Sequence, residues 1–477
     1  MNRIVVILFV ATVCVRGLIG LASFSSLSDD PDAYRAIAET LRSTGVYGLV
    51  GSDGQPHPTA FRPPLYPILL SMLATGGAVL PIAVVLLHSL MAGVTVVATY
   101  LAAGYFVQVG ADRGGESDRD WMIPIVASAL VVIDPILVQQ SRMVMTETLA
   151  AMLVAIVLWW IGREAQRRED ESHRLNRLDL SSAAVLGGLL GLAFLCRPTF
   201  LVWAAFVVLG YGILGARRSI PTMIPIRFAW KTAATIGLVF AIPLCLWTAR
   251  NVGQMGHPIW GTSHGGYTLL LANNPKFYDY LRSGSWFSAW QTDSFFDAYA
   301  HRYDGDIRTE QFWDTDWTDV PVRSLSNDQQ DQGNLGDQGM SKVTEVNDDR
   351  MLYEGAKAVI RRHPVMFVYS CVVRTCRLWA PFPHLVAGRS VLLSLIAGLY
   401  YVAFFVAVIV GVKAMRHRYR HPIAWTSFAL VLALTIVHSV YWTNARMRAP
   451  ATPCLAIFVA VAVCQLPQRW NLKKRLA

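Results

Sequence analysis

The stretch that decides the fold is residues 80–109, LPIAVVLLHSLMAGVTVVATYLAAGYFVQV, which holds no Asp, Glu, Lys or Arg. A helix needs about 20 such residues to cross about 30 Å of hydrocarbon. Comparable runs recur along the chain, and the predicted spans cover residues 4–24, 80–109, 121–138, 146–161, 180–195, 198–214, 229–249, 391–412, 422–441 and 450–465. The pattern therefore predicts an all-α polytopic membrane protein with about ten transmembrane helices.

Two shorter apolar runs, residues 65–78 and 365–378, leave alternatives open. The first is barely long enough to span, and the second carries Arg374 and Arg377 in its middle. Each is either a span or a re-entrant or interfacial helix.

The composition supports a membrane protein. The 477 residues are 54% hydrophobic and 16% charged, with a mean hydropathy of +0.39, whereas soluble domains carry about 25% charged residues. The seven cysteines all lie in or beside apolar runs, so no disulfide framework or zinc spacing is visible. These features exclude a soluble enzyme, a disordered protein and a secreted disulfide scaffold.

The net charge of +10 predicts topology rather than nucleic-acid binding. Basic residues gather at 163–177, 217–231, 413–420 and 469–475, and with ten spans all four groups share the side of the N-terminus. That side is cytoplasmic by the positive-inside rule. Residues 23–63, 137–146, 250–364 and 442–449 then share the extracytoplasmic side. No Asn-x-Ser/Thr site occurs, which favours a bacterial source and hence a bacterial inner (plasma) membrane.

The same topology predicts the domain organisation. Residues 1–249 form a transmembrane core that includes a first external loop at 24–63 (the first loop). Residues 250–364 form a large external loop (the large loop), which holds 16 of the 32 acidic residues. Residues 365–477 contain the last transmembrane helices and a basic cytoplasmic tail.

Carboxylates cluster in the first loop, where Asp29 and Asp30 precede Pro31. Proline suits the first helical position, so Asp30 is a candidate N-cap. A carboxylate near the low dielectric of the membrane has a raised pKa and can act as a general base. The alternative is structural, with Asp30 capping the helix and its acidic neighbours solvated.

Arginines complement these carboxylates. Arg62 precedes Pro63-Pro64, while Arg446 and Arg448 lie on the outer side against the positive-inside tendency. Guanidinium groups bind phosphate bidentately, although a snorkelling anchor is the alternative for Arg62. Glu147 opens a predicted helix, where the helix dipole alone explains a carboxylate. Together the loops predict a site for a lipid-linked anionic phosphate.

These motifs resemble those of membrane glycosyltransferases of the GT-C superfamily, and most closely the protein O-mannosyltransferase and aminoarabinose-transferase type. The matching features, in chain order, are Asp30…Tyr34, Arg62-Pro63-Pro64-Leu65-Tyr66-Pro67, Arg142…Glu147, Arg250-Asn251, Asn273-Asn274-Pro275 and Arg446-Met447-Arg448-Ala449-Pro450. Each motif is short, and their order covers most of the chain.

The resemblance implies an enzyme that transfers a sugar, with inversion, from a polyprenyl-phosphate donor to a lipid, glycan or protein acceptor on the extracytoplasmic side. The family's catalytic base falls on Asp30. Family members often have Asp-Glu where this chain has Asp29-Asp30, so the choice between the two stays open. The candidates for binding the donor phosphate are Arg62, Arg446 and Arg448, and those for binding substrate are Tyr34, Tyr66, Arg142, Glu147, Asn273 and Asn274.

Cofactors and other functions remain open at the sequence level. Asp29, Asp30, Asp32 and Glu147 are candidate ligands for a hard divalent cation, but no spacing demands a metal. One alternative function is a lipid-linked glycan polymerase or ligase, which shares the architecture but not the first-loop motifs. Another is a flippase-type transporter, which needs ionisable groups in mid-membrane. The runs contain few such groups, among them His88, Asp134, Arg197 and His438.

Overall fold

The chain is described by a computed structural model that covers residues 3–108, 119–170, 179–219, 227–284, 289–290, 292, 295, 342–384, 390–419 and 421–476. Much of the predicted large loop and parts of the predicted basic loops lie outside these residues. The helices are α1 Arg3–Ala22, α2 Tyr34–Thr44, α3 Leu65–Leu73, α4 Pro81–Gln108, α5 Ile123–Ile133, α6 Pro135–Gln140, α7 Glu147–Asp170, α8 Leu180–Cys196, α9 Phe200–Ser219, α10 Arg227–Met255, α11 Gly265–Ala272, α12 Pro275–Arg282, α13 Lys342–Arg362, α14 Pro364–Leu378, α15 Val391–Ala414, α16 Pro422–Val440 and α17 Thr452–Leu476.

The predicted all-α polytopic fold is confirmed. Among the described residues, seven helices are long and apolar enough to cross a membrane: α1, α4, α7, α10, α15, α16 and α17. Three shorter apolar helices, Asp120–Ile133, Leu180–Cys196 and Phe200–Ile213, coincide with the other three predicted spans. The chain is therefore an integral membrane protein.

The two ambiguous runs form helices too short to span. Helix α3 has 9 residues and α14 has 15, which gives lengths of about 14 and 23 Å at 1.5 Å per residue. Arg374 explains the charge inside α14. Its guanidinium donates to the carbonyl oxygens of Ser439 at 2.7 Å and Ala272 at 2.5 Å, so it joins α14 to the end of α16 and to α11.

Helix α17 lies at the centre of the bundle, whereas α1 lies at its edge. In the apolar segment Ala445–Gln465, which continues into α17, 89% of the membrane-spanning residues are buried inside the protein. In α1 the share is 17%. Helix α15 approaches α17 closely at Gly411, where a Cβ atom would collide with the backbone carbonyl of Phe458. Small residues at such crossings let transmembrane helices pack backbone to backbone.

Two buried charged side chains in the bundle hydrogen-bond to the backbone at a helix break. The break between α5 and α6 lies at Asp134, whose carboxylate accepts from Leu137 N at 2.9 Å and from the Tyr401 hydroxyl. Arg16 of α1, 3% exposed, donates to the carbonyls of Val131 and Val132 at the end of α5. Helix ends leave carbonyl groups unpaired, and Arg16 satisfies two of them.

The first loop forms a compact cap over the bundle. Strands β1 (Gly48–Val50) and β2 (Pro56–Pro58) pair antiparallel with Gly48 opposite Pro58. Pro31 was expected at the first position of a helix, but α2 begins three residues later at Tyr34. Ala33 has φ +56°, a left-handed conformation that turns the chain before the helix starts. Asp30 still caps the helix, since its Oδ2 accepts from Ala36 N at 2.9 Å.

Candidate active site

Tyr34, in the first turn of α2, marks the centre of the candidate site. Its ring is 6% exposed and meets the Tyr66 ring edge to face, with centroids 5.3 Å apart. Burial raises the pKa of Tyr34 to about 12. The positive charges of Arg62 and Arg197 oppose this rise, and the negative charges of Asp32 and Glu147 add to it. Charged side chains from several segments therefore surround one tyrosine ring.

Arg62 is held by Asp32 of the same loop. Its Nη2 lies 2.5 Å from Asp32 Oδ1, and its Nε donates to the Asp32 carbonyl oxygen at 2.8 Å. The guanidinium also stacks 4.2 Å above the Phe61 ring centroid. Arg446 approaches the same carboxylate, with its Nη2 4.0 Å from Asp32 Oδ2. One carboxylate thus brings arginines from two segments together.

Glu147, at the start of α7, forms a second, looser ion-pair group. Its Oε1 lies 3.6 Å from Arg197 Nη1 and 3.7 Å from Arg446 Nε, both beyond hydrogen-bond length. Its Oε2 is buried and has no hydrogen-bond partner among the described residues. Three guanidinium groups, those of Arg62, Arg197 and Arg446, thus meet the carboxylates of Asp32 and Glu147.

Asp30 contributes an acceptor that the fold does not use. Its Oδ1 is buried and has no hydrogen-bond partner within the described part of the chain. Burial raises the pKa of Asp30, and hydrogen bonds from the backbone of α2 partly oppose the shift. The hydrogen bond from Ala36 N fixes Asp30 at the first turn of α2, the helix that Tyr34 begins. A desolvated carboxylate with a free oxygen is suited to accept a proton. Asp29, by contrast, is exposed.

His88 of α4 forms a hydrogen bond with Tyr66 of the tyrosine pair. His88 Nδ1 lies 3.0 Å from the Ser141 carbonyl oxygen, so it must be the donor there. His88 Nε2 is then the acceptor for the Tyr66 hydroxyl at 2.7 Å. This assignment of the tautomer follows from the hydrogen bonds. The bonds fix the ring of Tyr66 and, through it, the position of Tyr34.

Other candidate residues have different surroundings. Arg448 is 3% exposed, donates to the carbonyls of Leu378 at 2.8 Å and Ala380 at 2.6 Å, and stacks 4.4 Å from the Tyr401 ring centroid. Arg142 is exposed. Neither forms an ion pair with the carboxylates of the site within the described residues.

The two asparagines bind the backbone. Asn273 Nδ2 donates to the carbonyls of Leu269 and Val440, and its Oδ1 accepts from Tyr278 and Arg374. Asn274 caps α12, since its Oδ1 accepts from Phe277 N at 2.8 Å while its Nδ2 donates to the carbonyls of Leu270 and Leu271. Both side chains are 0% exposed, so these contacts fix the shape of the α11–α12 turn.

The contacts of Arg448 lead to a prediction. Arg448→Ala should lower the free energy of unfolding by about 1–3 kcal/mol, because two buried carbonyls lose a charged donor. The loss should appear as a lower melting temperature in detergent, with the apparent KM for a lipid-phosphate donor changed less than about twofold. A large rise in that KM at unchanged melting temperature would instead assign Arg448 to the phosphate.

The carboxylates do not form a ligand set for a hard cation. Such ions take several oxygen ligands from neighbouring groups, yet Asp32 and Glu147 each face arginines. Within the described ranges no group of three His, Cys, Asp or Glu side chains is placed to hold a metal. The positive charges of these arginines oppose the binding of a cation to the same carboxylates.

No protein-family model matches the chain, and no curated protein does. Three solved structures are similar over nearly its whole length, each at 13% identity. The Archaeoglobus fulgidus oligosaccharyltransferase, tethered with an acceptor peptide, has a TM-score of 0.46; 99% of this chain is covered, but only 51% of that one, so the chain spans about half its length. ArnT from Cupriavidus metallidurans bound to undecaprenyl phosphate has a TM-score of 0.35 and is covered over 80% of its length; its apo form scores 0.32, with 77% covered. With TM-scores below 0.5, the likeness does not define the function of the chain, which has to be inferred from the residues around Tyr34.

Arg197 is the site residue that the sequence reasoning missed. It follows α8 and is extended at φ −147°, ψ 120°, as expected for a residue that precedes proline, here Pro198. In the predicted topology, the short link between spans 180–195 and 198–214 is on the same side as the first loop. Arg197 is therefore a further outward arginine, and this departure from the positive-inside tendency was the available signal.

Proposed function

We propose that the chain is an inverting glycosyltransferase that moves a sugar from a polyprenyl-phosphate-linked donor to a lipid, glycan or protein acceptor. The observation that carries the proposal is the convergence of three arginines on the carboxylates of Asp32 and Glu147 beside the Tyr34 ring. Asp30, with its unused buried oxygen, is fixed at the first turn of the helix that Tyr34 begins. The arginines come from the first loop, the end of α8 and the segment before α17. We expect them to bind the phosphate of the donor while its apolar chain lies along the bundle.

Asp30 acts as the general base in this mechanism. It takes the proton from the acceptor nucleophile, which attacks the anomeric carbon on the face opposite the departing phosphate, as inversion requires. The bond from the anomeric carbon to the phosphate oxygen breaks, and the electron pair leaves with the phosphate. No general acid is needed because the polyprenyl phosphate is a stable anion. Arg62, Arg197 and Arg446 stabilise its growing charge.

The reaction is proposed for the extracytoplasmic face of a bacterial inner membrane. This orientation rests on the distribution of Lys and Arg between the loops. The polymerase, ligase and flippase alternatives receive no specific support from the site. The flippase alternative needs uncommitted polar groups in mid-membrane. His88 and Asp134 are bound to neighbouring side chains or backbone, whereas the buried ring nitrogens of His438, near the end of α16, have no hydrogen-bond partner among the described residues.

The proposed function is tested by lipid analysis of a strain that lacks the protein. We expect a polyprenyl-phosphate sugar to accumulate and one envelope glycan, lipid or protein to lack a single sugar. Restoring the wild-type gene should reverse both changes. Unchanged lipid-linked sugars and unchanged glycans would contradict the proposal, and accumulation of a whole lipid-linked oligosaccharide would favour the polymerase or flippase.

The role of Arg62 gives a second prediction. Arg62→Ala should raise the apparent KM for the lipid-phosphate donor by about 10- to 100-fold, because a charge-assisted contact to phosphate contributes about 1.5–3 kcal/mol. The KM for the acceptor should stay unchanged. Purified protein in detergent with an undecaprenyl-phosphate sugar is a suitable assay. Arg282→Ala is the matched control, since Arg282 is exposed and pairs with Asp279 of its own helix. An unchanged donor KM would remove Arg62 from the phosphate site.

A further inference from the structure

Helix α13, from the large loop, inserts a carboxylate into the first loop. Glu345 accepts three hydrogen bonds there: from the Thr59 hydroxyl to Oε2 at 2.7 Å, from Ala60 N to Oε1 at 3.1 Å, and from the Ser263 hydroxyl to Oε1. Burial raises the pKa of Glu345, and these hydrogen bonds oppose the shift. One side chain thus binds two segments that are far apart in sequence.

The segment that Glu345 binds leads directly to Arg62. Strand β2 ends at Pro58 and α3 begins at Leu65, so the residues between them belong to neither element. Their backbone bonds are those from Thr59 N to the Tyr47 carbonyl at 3.1 Å and from Ser263 N to the Ala60 carbonyl at 3.0 Å, and the side-chain contacts of Glu345 add to these. The Thr59 hydroxyl, which donates to Glu345, also accepts from Phe61 N at 2.9 Å. The Phe61 ring then supports the Arg62 guanidinium from 4.2 Å. The path from Glu345 to Arg62 therefore consists of two hydrogen bonds and one stacked pair.

Residues of the second bound segment pack on the same ring. His264 meets Phe61 edge to face at 4.7 Å, and Tyr267 stacks on His264 at 4.6 Å. One turn after Glu345, Asp349 Oδ1 accepts from Gly266 N at 2.6 Å, which holds this segment against α13. Helix α13 thus fixes both the backbone before Arg62 and the rings beneath its guanidinium.

Arg250 completes the arrangement from the other side. Its Nη1 donates to the Thr59 carbonyl at 2.7 Å and its Nη2 to the Tyr47 carbonyl at 2.5 Å. The Tyr47 hydroxyl donates to the Arg62 carbonyl at 2.9 Å. The backbone of residues 59–62 is thereby held between Glu345 and Arg250, and removal of either group frees one side of it.

We propose that Glu345 is a positioning residue for Arg62, through which helix α13 of the large loop sets the geometry of the donor-phosphate site. This inference rests on the proposed role of Arg62 in binding the donor. Glu345 itself touches no substrate. It acts by holding Thr59 and Ala60, so that the Arg62 guanidinium is already directed toward Asp32 before the donor binds. A preorganised guanidinium binds phosphate without the entropy loss of ordering its loop.

A double-mutant cycle tests the inference. Glu345→Ala should raise the apparent KM for an undecaprenyl-phosphate sugar about tenfold, the scale of one lost hydrogen-bond network, with kcat changed much less. Glu345→Ala combined with Arg62→Ala should be no worse than Arg62→Ala alone, because both changes remove the same contact. Glu345→Gln, which keeps the size but loses one acceptor, should have an intermediate effect and covers the case in which the alanine variant does not fold.

Glu354→Ala is the matched control, since Glu354 lies on the same helix and its carboxylate pairs with Lys357 at 3.0 Å. Its donor KM should equal that of the wild type. Additive effects of Glu345→Ala and Arg62→Ala, or a normal donor KM in both Glu345 variants, would overturn the inference while leaving the role of Arg62 intact. A normal donor KM in Arg62→Ala would instead overturn the proposed function of Arg62.

Discussion

Asp30→Asn should reduce sugar transfer by about 10²- to 10⁴-fold, the usual contribution of general base catalysis, while protein level and melting temperature stay close to wild type. Asparagine caps helices as well as aspartate does, so its side-chain oxygen can still accept from Ala36 N. The substitution removes only the ability to take a proton. This separates the catalytic interpretation of Asp30 from the structural one, which predicts little change in activity.

Asp29→Asn is the matched control for this experiment. Asp29 is its exposed neighbour, and the variant should keep wild-type transfer. If Asp29→Asn loses activity and Asp30→Asn does not, the base is Asp29. If both variants transfer normally, neither residue is the base and the mechanism is wrong.

The pH profile gives an independent measure of the same group. Burial raises the pKa of Asp30 above its ordinary value, which is about 3.9 for aspartate. The base must be ionised, so kcat/KM should fall as the pH drops through this raised pKa, and the acid limb should lie above about pH 3.9. Because its pKa is raised, Asp30 binds a proton more readily in the folded state than in the unfolded state. Its unfavourable contribution to folding stability therefore shrinks as the pH falls, and Asp30 does not itself promote acid unfolding. Activity should therefore be lost through this pKa without any contribution of Asp30 to acid unfolding.

The spans were predictable because each is a local property of the chain. Length and hydropathy identified residues 80–109 and 391–412, which the structure shows as α4 and α15. Residues 65–78 and 365–378 were ambiguous because hydropathy alone does not show where a helix ends. The structure has helices of 9 and 15 residues there, which are too short to span. The start of α2 was misplaced by three residues, since the left-handed turn at Ala33 has no signature in its own side chain.

The site was predictable only as a set of segments. Sequence motifs named Asp30, Tyr34, Arg62, Glu147 and Arg446. The structure joins Arg62, Arg446 and Glu147 in one group of ion pairs through Asp32. It places Arg62 beside the Tyr34 ring and fixes Asp30 at the first turn of the helix that Tyr34 begins. The directions of side chains could not be predicted from the motifs. Arg446 and Arg448 share one motif, but residues 445–451 form a 3₁₀ helix. With three residues per turn, side chains two positions apart point in directions about 120° apart. Arg446 consequently faces the carboxylates, and Arg448 faces the carbonyls at the end of α14.

Glu147→Gln should lower the free energy of unfolding by about 3–5 kcal/mol, the scale for removing one partner of a buried charge pair. Glu147 is 2% exposed and faces both Arg197 and Arg446, which would be left close together without their shared counter-ion. Transfer should fall as well, because without Glu147 the two arginines repel each other and are no longer held in place before the donor binds. Thermal unfolding in detergent and the transfer assay measure the two effects.

The two charges left in Glu147→Gln also predict how the variant responds to ligand. A polyprenyl phosphate supplies the missing negative charge between Arg197 and Arg446, so it should raise the melting temperature of the variant more than that of the wild type. Glu164→Gln is the matched control, because Glu164 is a buried carboxylate of the same helix that accepts from the Ser182 hydroxyl at 2.7 Å. It should respond to polyprenyl phosphate as the wild type does. Equal stabilisation of the wild type and Glu147→Gln would mean that the phosphate does not lie between these arginines, because only a ligand at that position can replace the carboxylate.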